Sequence, residues 1–219
     1  LALMEGRDYY EEQLNHATQM ERQPGSTLKP IAAYLPALEN GDIQPGTPVD
    51  DVPIVLPDGG GRGYHIPQNW NLTFNGIITA RHALNQSFNI PAVRLFNETV
   101  GLENAWEFTR SLGITTLTES DNRALTGVIG GLEYGTTVEE LTNAYTSIPN
   151  GGNYNDSYMI ERIHDSDENP IYEHKVLPER VFSEQTAYLM TDMLRTVITS
   201  GTGSTIKSTF KHFGQVPVS

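Results

Sequence analysis

The feature that most constrains the fold is a helix-like apolar stretch in the first fifth of this 219-residue chain. Residues 31–38 read I-A-A-Y-L-P-A-L, and the stretch stops at Asn40-Gly41, a pair typical of helix ends. Pro36 lies inside it, so we expect the helix to kink or to end early at that point. The residues at the start of this helix are the first candidates for chemistry.

A serine and a lysine three positions apart stand at that start. Pro24-Gly25 forms a turn, and Pro30 fits only near a first helical turn, which places Ser26 at or just before the N-terminus of the helix. Lys29 then lies on the same face, within reach of the serine hydroxyl. The pair reads as a nucleophile beside a possible base, with free backbone amides and the positive end of the helix dipole to hold an oxyanion. The base has to be neutral, which requires burial or a neighbouring cation.

This S-x-x-K pattern is weak by itself, because S-T-I-K at 204–207 and S-T-F-K at 208–211 share its spacing. Chance alone supplies on the order of one such pattern in a chain of this length. The two later copies lie in polar, glycine-rich sequence without a preceding turn or a following apolar helix, and they read as a mobile basic loop. The competing interpretation of Ser26 is a capping serine beside a surface lysine.

A second polar group interrupts apolar sequence further along. Apolar spacing over 74–96 predicts two helices that meet near 87–91. Ser87 and Asn89 can both face one cleft there, the serine to relay protons and the asparagine to hold a substrate amide. The alternative is an interhelical turn with capping side chains. The similar S-D-N at 120–122 lies among polar turn residues and reads as local capping.

The rest of the chain alternates between irregular and regular sequence. The prolines and glycines of 42–70 predict a long loop with little regular structure, which is usually functional or mobile. We expect an extended or mixed segment over 1–23, helices over 103–112 and 183–199, a helix capped by Thr136 or Thr137, a hairpin formed by 158–163 and 171–175, and the start of a strand in the final G-Q-V-P-V-S.

Composition excludes several function classes. With 27 acidic and 14 basic side chains the formal net charge is −13, which argues against broad binding to nucleic acid or to an anionic membrane surface. No apolar run is long enough to cross a bilayer, so we expect any membrane anchor to lie outside this chain. Cysteine is absent and the six histidines are scattered, so no metal or other cofactor is predicted.

Taken together, R-Q-P-G-S-T-L-K-P and A-L-N-Q-S-F-N-I-P-A-V-R-L resemble the transpeptidase domain of class A penicillin-binding proteins. The separation of 61 positions between Ser26 and Ser87 suits that family. G-V-I-G-G-L-E-Y-G-T-T, from residue 127, resembles the family's glycine block, and the likeness covers most of 5–203. The resemblance implies an α+β, β-lactamase/transpeptidase-like fold, in which a helical lobe packs against an antiparallel sheet with Ser26 at their junction.

The resemblance also implies a reaction. Ser26 would attack the penultimate D-Ala carbonyl of a peptidoglycan stem peptide and form an acyl-enzyme, with Lys29 as the base. Ser87 would pass the proton to the leaving amine, and Asn89 would bind the acyl-side amide. An amine of a neighbouring stem would take the acyl group and form a cross-link, and β-lactams would acylate Ser26 instead.

The family's third motif, K-T-G, is absent from the sequence. We therefore expect 1–219 to be the N-terminal and central part of one transpeptidase domain, incomplete at its C-terminus, with much of the sheet beyond residue 219. We do not expect the fragment by itself to be active in transfer, since by the resemblance the missing motif would hold the substrate carboxylate. By the resemblance, the full-length chain carries a glycosyltransferase domain and acts at the outer face of the bacterial cytoplasmic membrane.

Two other functions stay open. A serine β-lactamase would share the serine and lysine elements but needs a general base for deacylation. Glu139 and Glu140 come with Leu141 and Asn143 in the wrong spacing for such a base, and capping explains them better. A non-catalytic penicillin-sensing or scaffold module would keep the fold for binding alone.

Overall fold

The computed structural model describes residues 14–57 and 63–215, and its centre is one buried helix. The chain is helical from 28 to 39, and its apolar side chains are buried on every side. Such a helix is stable only when other elements surround it. The predicted helix end is confirmed, because Asn40 is the last residue with helical angles and Gly41 has φ +80°.

Of the two effects expected of Pro36, a kink or an early end, the early end is wrong, because the helix continues past this residue. Pro30–Tyr34 forms a π-helical turn, in which the Leu35 amide bonds the carbonyl of Pro30, and helix α1 follows as Leu35–Glu39. Proline lacks an amide hydrogen and its ring crowds the preceding turn. A locally wider turn lets the helix accommodate both effects without ending.

The other helices supply the rest of the core around the central one. Phe96 and Trp106 are both fully buried and meet edge to face, with their ring centroids 4.9 Å apart. The helices are α2 Ala80–Asn85, α3 Asn89–Arg94 with a π-helical continuation Leu95–Val100, α4 Leu102–Ser111, α5 Val138–Thr146, α6 Glu184–Ser200 and α7 Ile206–Thr209, with 3-10 turns at Gly25–Thr27, Asp121–Arg123 and Gly127–Ile129.

The strands of the described residues pair antiparallel in two-stranded sheets, β1 with β4, β2 with β3, β5 with β8 and β6 with β7. Helices and antiparallel strands together confirm the predicted α+β class. The strands are β1 Pro48–Asp51, β2 Leu56–Pro57, β3 Tyr64–His65, β4 Gly76–Thr79, β5 Asn153–Tyr154, β6 Arg162–His164, β7 Pro170–Glu173 and β8 Glu179–Arg180.

Two predictions near the proline-rich segment are wrong. Residues 42–70 contain three of these strands, and Ile77 and Ile78, expected in a helix, lie in β4. Ile78 pairs with Val49 of β1, a partner whose position local periodicity cannot reveal. The helix begins only after Thr79, whose hydroxyl accepts the His82 amide at 3.2 Å.

The other regular elements agree with the sequence patterns that predicted them. Thr137 and Ser183 cap α5 and α6 with their hydroxyls, and Gly113 follows α4 with φ +82°. The predicted hairpin is present as β6 and β7, although both strands are shorter than expected. The loop expected around 204–211 contains the short helix α7. Within G-Q-V-P-V-S only the first two residues are described, so the predicted strand lies outside the described residues, as does the approach segment before residue 14.

Candidate active site

Ser26 lies in the 3-10 turn that opens the central helix. Gly25 has φ +58°, a left-handed conformation that suits glycine, and it directs the chain from Pro24 into this turn. The Ser26 side chain is exposed, and its hydroxyl has no hydrogen-bond partner among residues 14–57 and 63–215. It is therefore open to an incoming substrate.

The glycine block after residue 127 packs directly on the turn that carries Ser26. The Gln23 side chain donates to the Leu132 carbonyl at 2.7 Å and accepts the Leu132 amide at 2.8 Å. Gly130 has φ +91°, and a Cβ added there would lie 2.2 Å from the Gly25 Cα. Only glycine allows the two backbones to approach this closely, so the block fixes the position of the turn.

Tyr145 of α5 supports the same turn from another direction. Its hydroxyl donates to the Thr27 carbonyl at 2.6 Å. Burial raises the pKa of the Tyr145 phenol far above its ordinary value, so the hydroxyl keeps its proton and remains a donor.

Lys29 is buried at the foot of the same turn, with 1% of its surface exposed. Its ammonium donates to the Ser87 carbonyl at 2.7 Å, to Asn89 Oδ1 at 2.6 Å and to Ser87 Oγ at 3.2 Å. Three acceptors match the three protons of an ammonium group. The structure thus brings Lys29, Ser87 and Asn89 together, whereas Ser26 stands beside them without a hydrogen bond to the lysine.

Burial lowers the pKa of Lys29 from 10.5 to about 8. No carboxylate forms an ion pair with its ammonium within the described part of the chain. Desolvation is therefore opposed only by neutral oxygen atoms, which stabilise the charge less than a carboxylate would. This is the burial that the sequence argument required of a lysine base.

Ser87 lies in the turn between α2 and α3 with an unusual backbone. Its φ is +54°, which is uncommon for a residue with a side chain and costs free energy. The turn is held by the Ser87 amide bonding the Leu84 carbonyl at 2.9 Å and the Phe88 amide bonding the Ala83 carbonyl at 3.0 Å. This conformation directs both the carbonyl and the hydroxyl of Ser87 to Lys29.

Sequence reasoning missed two buried polar residues of the proline-rich segment: Asn69, which bonds the start of α3, and Asp51, which bonds Asn69. The side-chain oxygen of Asn69, Oδ1, accepts the backbone amides of Asn89, at 2.8 Å, and Ile90, at 3.3 Å. The Asn69 amide group donates to Asp51 Oδ1 at 2.7 Å and to the Thr73 carbonyl at 2.9 Å. In sequence, asparagine among prolines indicates only a turn, so nothing local reveals this long-range cap.

The neighbours of Asn69 hold the same turn. Gln68 accepts the side-chain amide of Asn89 on its backbone carbonyl at 2.7 Å. The indole of Trp70 donates to the Gln86 carbonyl at 2.8 Å. We call residues 68–70 the clamp segment, because each of its three members bonds the α2–α3 turn or the first residue of α3.

The competing serines are engaged away from any lysine. Ser120 does not cap the 3-10 turn that follows it, so local capping by this side chain is wrong; its hydroxyl donates to Glu133 at 2.6 Å, 13 residues along the chain. Asp121 does make a local bond, because it accepts the Thr118 amide at 2.9 Å. Ser208 donates to the Thr205 carbonyl at 3.0 Å, a contact within its own short helix. None of these serines bonds a lysine among the described residues.

The two glutamates weighed as a deacylation base are engaged elsewhere. The Glu140 carboxylate accepts the hydroxyls of Thr115 at 2.6 Å and Thr136 at 2.9 Å, and Glu139 accepts the Ser157 hydroxyl at 2.5 Å. None of these bonds involves the serine and lysine site, so neither glutamate is a base for it in this arrangement.

Two further classes of site are not seen in the described ranges. They contain no group of three or more histidine, aspartate or glutamate side chains that could hold a metal ion. They also contain no helix long and apolar enough to cross a membrane.

Comparison with known proteins decides the family. The family model of the penicillin binding protein transpeptidase domain matches residues 1–214. The chain belongs to this family. Penicillin-binding protein 1F of Bacillus subtilis is 34% identical over 203 residues, covering 93% of this chain, and penicillin-binding protein 1A of Streptococcus pneumoniae is 37% identical over 204 residues, covering 87%. These relatives confirm the resemblance to class A penicillin-binding proteins.

Solved structures agree on the transpeptidase fold. Penicillin-binding protein 1A of Haemophilus influenzae superposes with a TM-score of 0.79 at 24% identity, covering 93% of this chain and 35% of that one. The D,D-transpeptidase domain of a peptidoglycan glycosyltransferase from Eggerthella lenta gives 0.70 at 18% identity, covering 90% of this chain and 54% of that one. This chain spans 27% of the length of the Bacillus subtilis relative and 26% of the length of the Streptococcus pneumoniae relative.

Proposed function

We propose that the protein carrying this chain is a serine D,D-transpeptidase that cross-links peptidoglycan stem peptides and is acylated by β-lactams. The observation that carries the proposal is the contact of a buried lysine with Ser87 and Asn89, three residues after an exposed Ser26 in the turn that opens the same helix. Membership of the transpeptidase family supports the same reaction.

In this proposal Lys29 takes the proton of the nucleophile. A neutral amine has two N–H donors and one lone pair, so it can keep its short bonds to the Ser87 carbonyl and to Asn89 Oδ1. The bond given up is the longest one, at 3.2 Å to Ser87 Oγ. The lone pair is then free to accept a proton from Ser26 or from Ser87. A bond from Ser26 to the amine would form only with substrate in place, as catalytic hydrogen bonds often do.

The chemical steps balance through these groups. Ser26 Oγ adds to the penultimate D-Ala carbonyl, and its proton moves to the Lys29 amine. Collapse of the tetrahedral intermediate breaks the C–N bond to the terminal D-Ala, whose amine receives the proton by way of the Ser87 hydroxyl. An amine of a second stem peptide then attacks the ester and returns the Ser26 proton. With a β-lactam the broken C–N bond lies in a ring, so the leaving amine stays tethered.

Asn89 has the capacity to bind substrate while it holds Lys29. Its amide nitrogen has two protons, of which one is used by the Gln68 carbonyl, and the second can reach an acyl-side carbonyl. Asn89 is therefore the proposed substrate-binding residue, and Ser26, Lys29 and Ser87 are the proposed catalytic residues.

We also propose that 1–219 is the N-terminal and central part of one transpeptidase domain. The missing K-T-G motif and the partial coverage of the related proteins support this assignment. The full-length protein would carry a glycosyltransferase domain and an anchor, and its transpeptidase domain would face the outside of the cytoplasmic membrane.

A synthetic stem pentapeptide and an acceptor amine test the proposal with the full-length protein. We expect release of free D-Ala together with a peptide–amine product, and loss of both in Ser26→Ala. Release of D-Ala in the Ser26→Ala variant would contradict the proposal. Rapid hydrolysis of a bound penicillin would favour a β-lactamase, and slow acylation without transfer would favour a sensing module.

A further inference from the structure

Asp51 and Asn69 are buried polar residues that the proposed reaction does not use. Asp51 has 0% and Asn69 1% of its surface exposed, and a buried polar group is costly unless it is hydrogen-bonded. Asp51 accepts the Asn69 side chain on Oδ1, and the Asn75 backbone and side-chain amides on Oδ2 at 2.9 and 2.6 Å. Within the described residues, these neutral donors are the only groups that bond the Asp51 carboxylate.

These bonds determine which way the Asn69 side chain points. Its nitrogen faces two acceptors, Asp51 Oδ1 and the Thr73 carbonyl. Rotating the amide by 180° would place an oxygen against both of them, which is unfavourable. The Asn69 oxygen is therefore fixed toward α3, where it accepts the amides of Asn89 and Ile90.

Helix α3 depends on this external cap. Phe88, the residue at its N-cap position, has no side-chain hydrogen bond to the helix. By contrast α2 and α5 are capped by their own residues, Thr79 and Thr137. The first residue of α3 is Asn89, so the residue that caps the helix also sets the backbone position of a proposed site residue.

The orientation continues through Asn89 to the lysine. The Asn89 nitrogen donates to the Gln68 carbonyl, which leaves its oxygen facing Lys29 Nζ at 2.6 Å. The chain of contacts thus runs from Asp51 through the clamp segment and Asn89 to Lys29. Asp51 orients the Asn69 side chain, Asn69 holds the Asn89 backbone, and the Gln68 carbonyl orients the Asn89 side chain.

We propose that Asn69, oriented by Asp51, is a positioning residue that holds Asn89 and Lys29 in the geometry for acylation of Ser26. The proposal rests on the proposed function. Displacing a site group by about 1 Å can cost on the order of 100-fold in rate, so the loss of this cap should be visible in acylation.

An exchange of the two side chains tests the proposal in the full-length protein. Asn69→Asp sets two carboxylates against each other. Asp51→Asn replaces one acceptor oxygen with an NH₂ group, which then faces an N–H donor of Asn69 or Asn75. In the double variant the pair itself is complementary again, because Asn at 51 donates to Asp at 69 and Asp at 69 still accepts the two α3 amides. One repulsive contact remains, between the second oxygen of Asp at 69 and the Thr73 carbonyl. Asn71→Ala is the matched control, because this nearby side chain accepts only the Thr73 amide, at 3.2 Å.

The measurements are the rate constant for acylation by a fluorescent penicillin across pH, and the Tm. We expect each single variant to lose about 10- to 100-fold in rate, and the double variant to be faster than either single variant but slower than wild type, because its contact with the Thr73 carbonyl stays repulsive. The double variant should also have a higher pH midpoint than wild type, because the negative charge lies nearer to Lys29. Asn71→Ala should match wild type.

Wild-type rates in a folded single variant would overturn the proposal, as would a double variant that recovers Tm without recovering rate. If neither exchange variant folds, Asn69→Ala decides: a lower rate with a lower pH midpoint supports positioning, and an unchanged rate overturns it. The midpoint falls in this case because a released Asn89 no longer offers its oxygen to the ammonium. Failure of wild type to be labelled at Ser26 would instead reject the proposed function.

Discussion

The pH dependence of acylation tests the proposed role of Lys29 as a base. Only the neutral amine can accept the Ser26 proton, so the acylation rate constant should rise with pH and level off above the pKa of the lysine. Burial lowers this pKa from 10.5 to about 8. We therefore expect a single rise centred near pH 8.

The size of the effect follows from the displacement of the pKa. At pH 7 about one tenth of Lys29 is neutral with a pKa of about 8, against roughly one part in 3000 at the ordinary lysine value. Burial thus increases the neutral fraction about 300-fold at pH 7. Between pH 6 and pH 7 the rate should rise about tenfold.

The assay follows acylation of the full-length protein by a fluorescent penicillin between pH 5.5 and 9.5, with Tm recorded at each pH. Intact folding across the range excludes unfolding as the cause of a rate change. A flat profile, or a rate that still rises steeply at pH 9.5 without levelling off, would refute the argument that burial prepares Lys29 as the base.

The same lysine should leave a signature in stability. Because its folded pKa lies below its unfolded value, the folded state binds fewer protons between about pH 8 and 10.5, and stability rises with pH across that window. Below pH 8 the full cost of the buried charge is present, about 3 kcal/mol at 1.36 kcal/mol per pKa unit. The difference in unfolding free energy between wild type and Lys29→Met should follow this slope. A difference that does not change with pH would contradict it.

Three further substitutions have definite expected outcomes. Gly130→Ala should lose about 3 kcal/mol of stability and slow acylation, since its Cβ would lie 2.2 Å from the Gly25 backbone at φ +91°; an unchanged Tm would contradict this packing. Tyr145→Phe should lose about 1 kcal/mol in denaturant unfolding, because only the bond to the Thr27 carbonyl is removed. Ser87→Ala should slow acylation roughly 100-fold or more at a similar Tm, because the proton relay is lost, and a wild-type rate would exclude that role.

The parts of the fold that were predictable from sequence are those determined by local chemistry. The turn before Ser26 follows from Pro24-Gly25, and the starts of α5 and α6 follow from the hydroxyls of Thr137 and Ser183. In each case the residues that make the structure are within a few positions of one another. Ser26, Lys29, Ser87 and Asn89, the residues of the proposed site, were selected from two short sequence patterns together with the family resemblance.

The parts that were not predictable depend on partners distant in sequence. Ile78 reads as helical until Val49 is known to pair with it. Asn69 and Asp51 read as turn residues, and their contacts with α3 and with each other exist only in the folded chain. Polar residues in a proline-rich segment can therefore be part of the support of a site without any local signal.

The most direct test of the central claim is to find where penicillin binds covalently. The full-length protein is labelled with penicillin, digested and examined by mass spectrometry. We predict one acyl adduct, on Ser26, and no adduct in Ser26→Ala. An adduct on Ser204 or Ser208, or labelling that survives Ser26→Ala, would contradict the account.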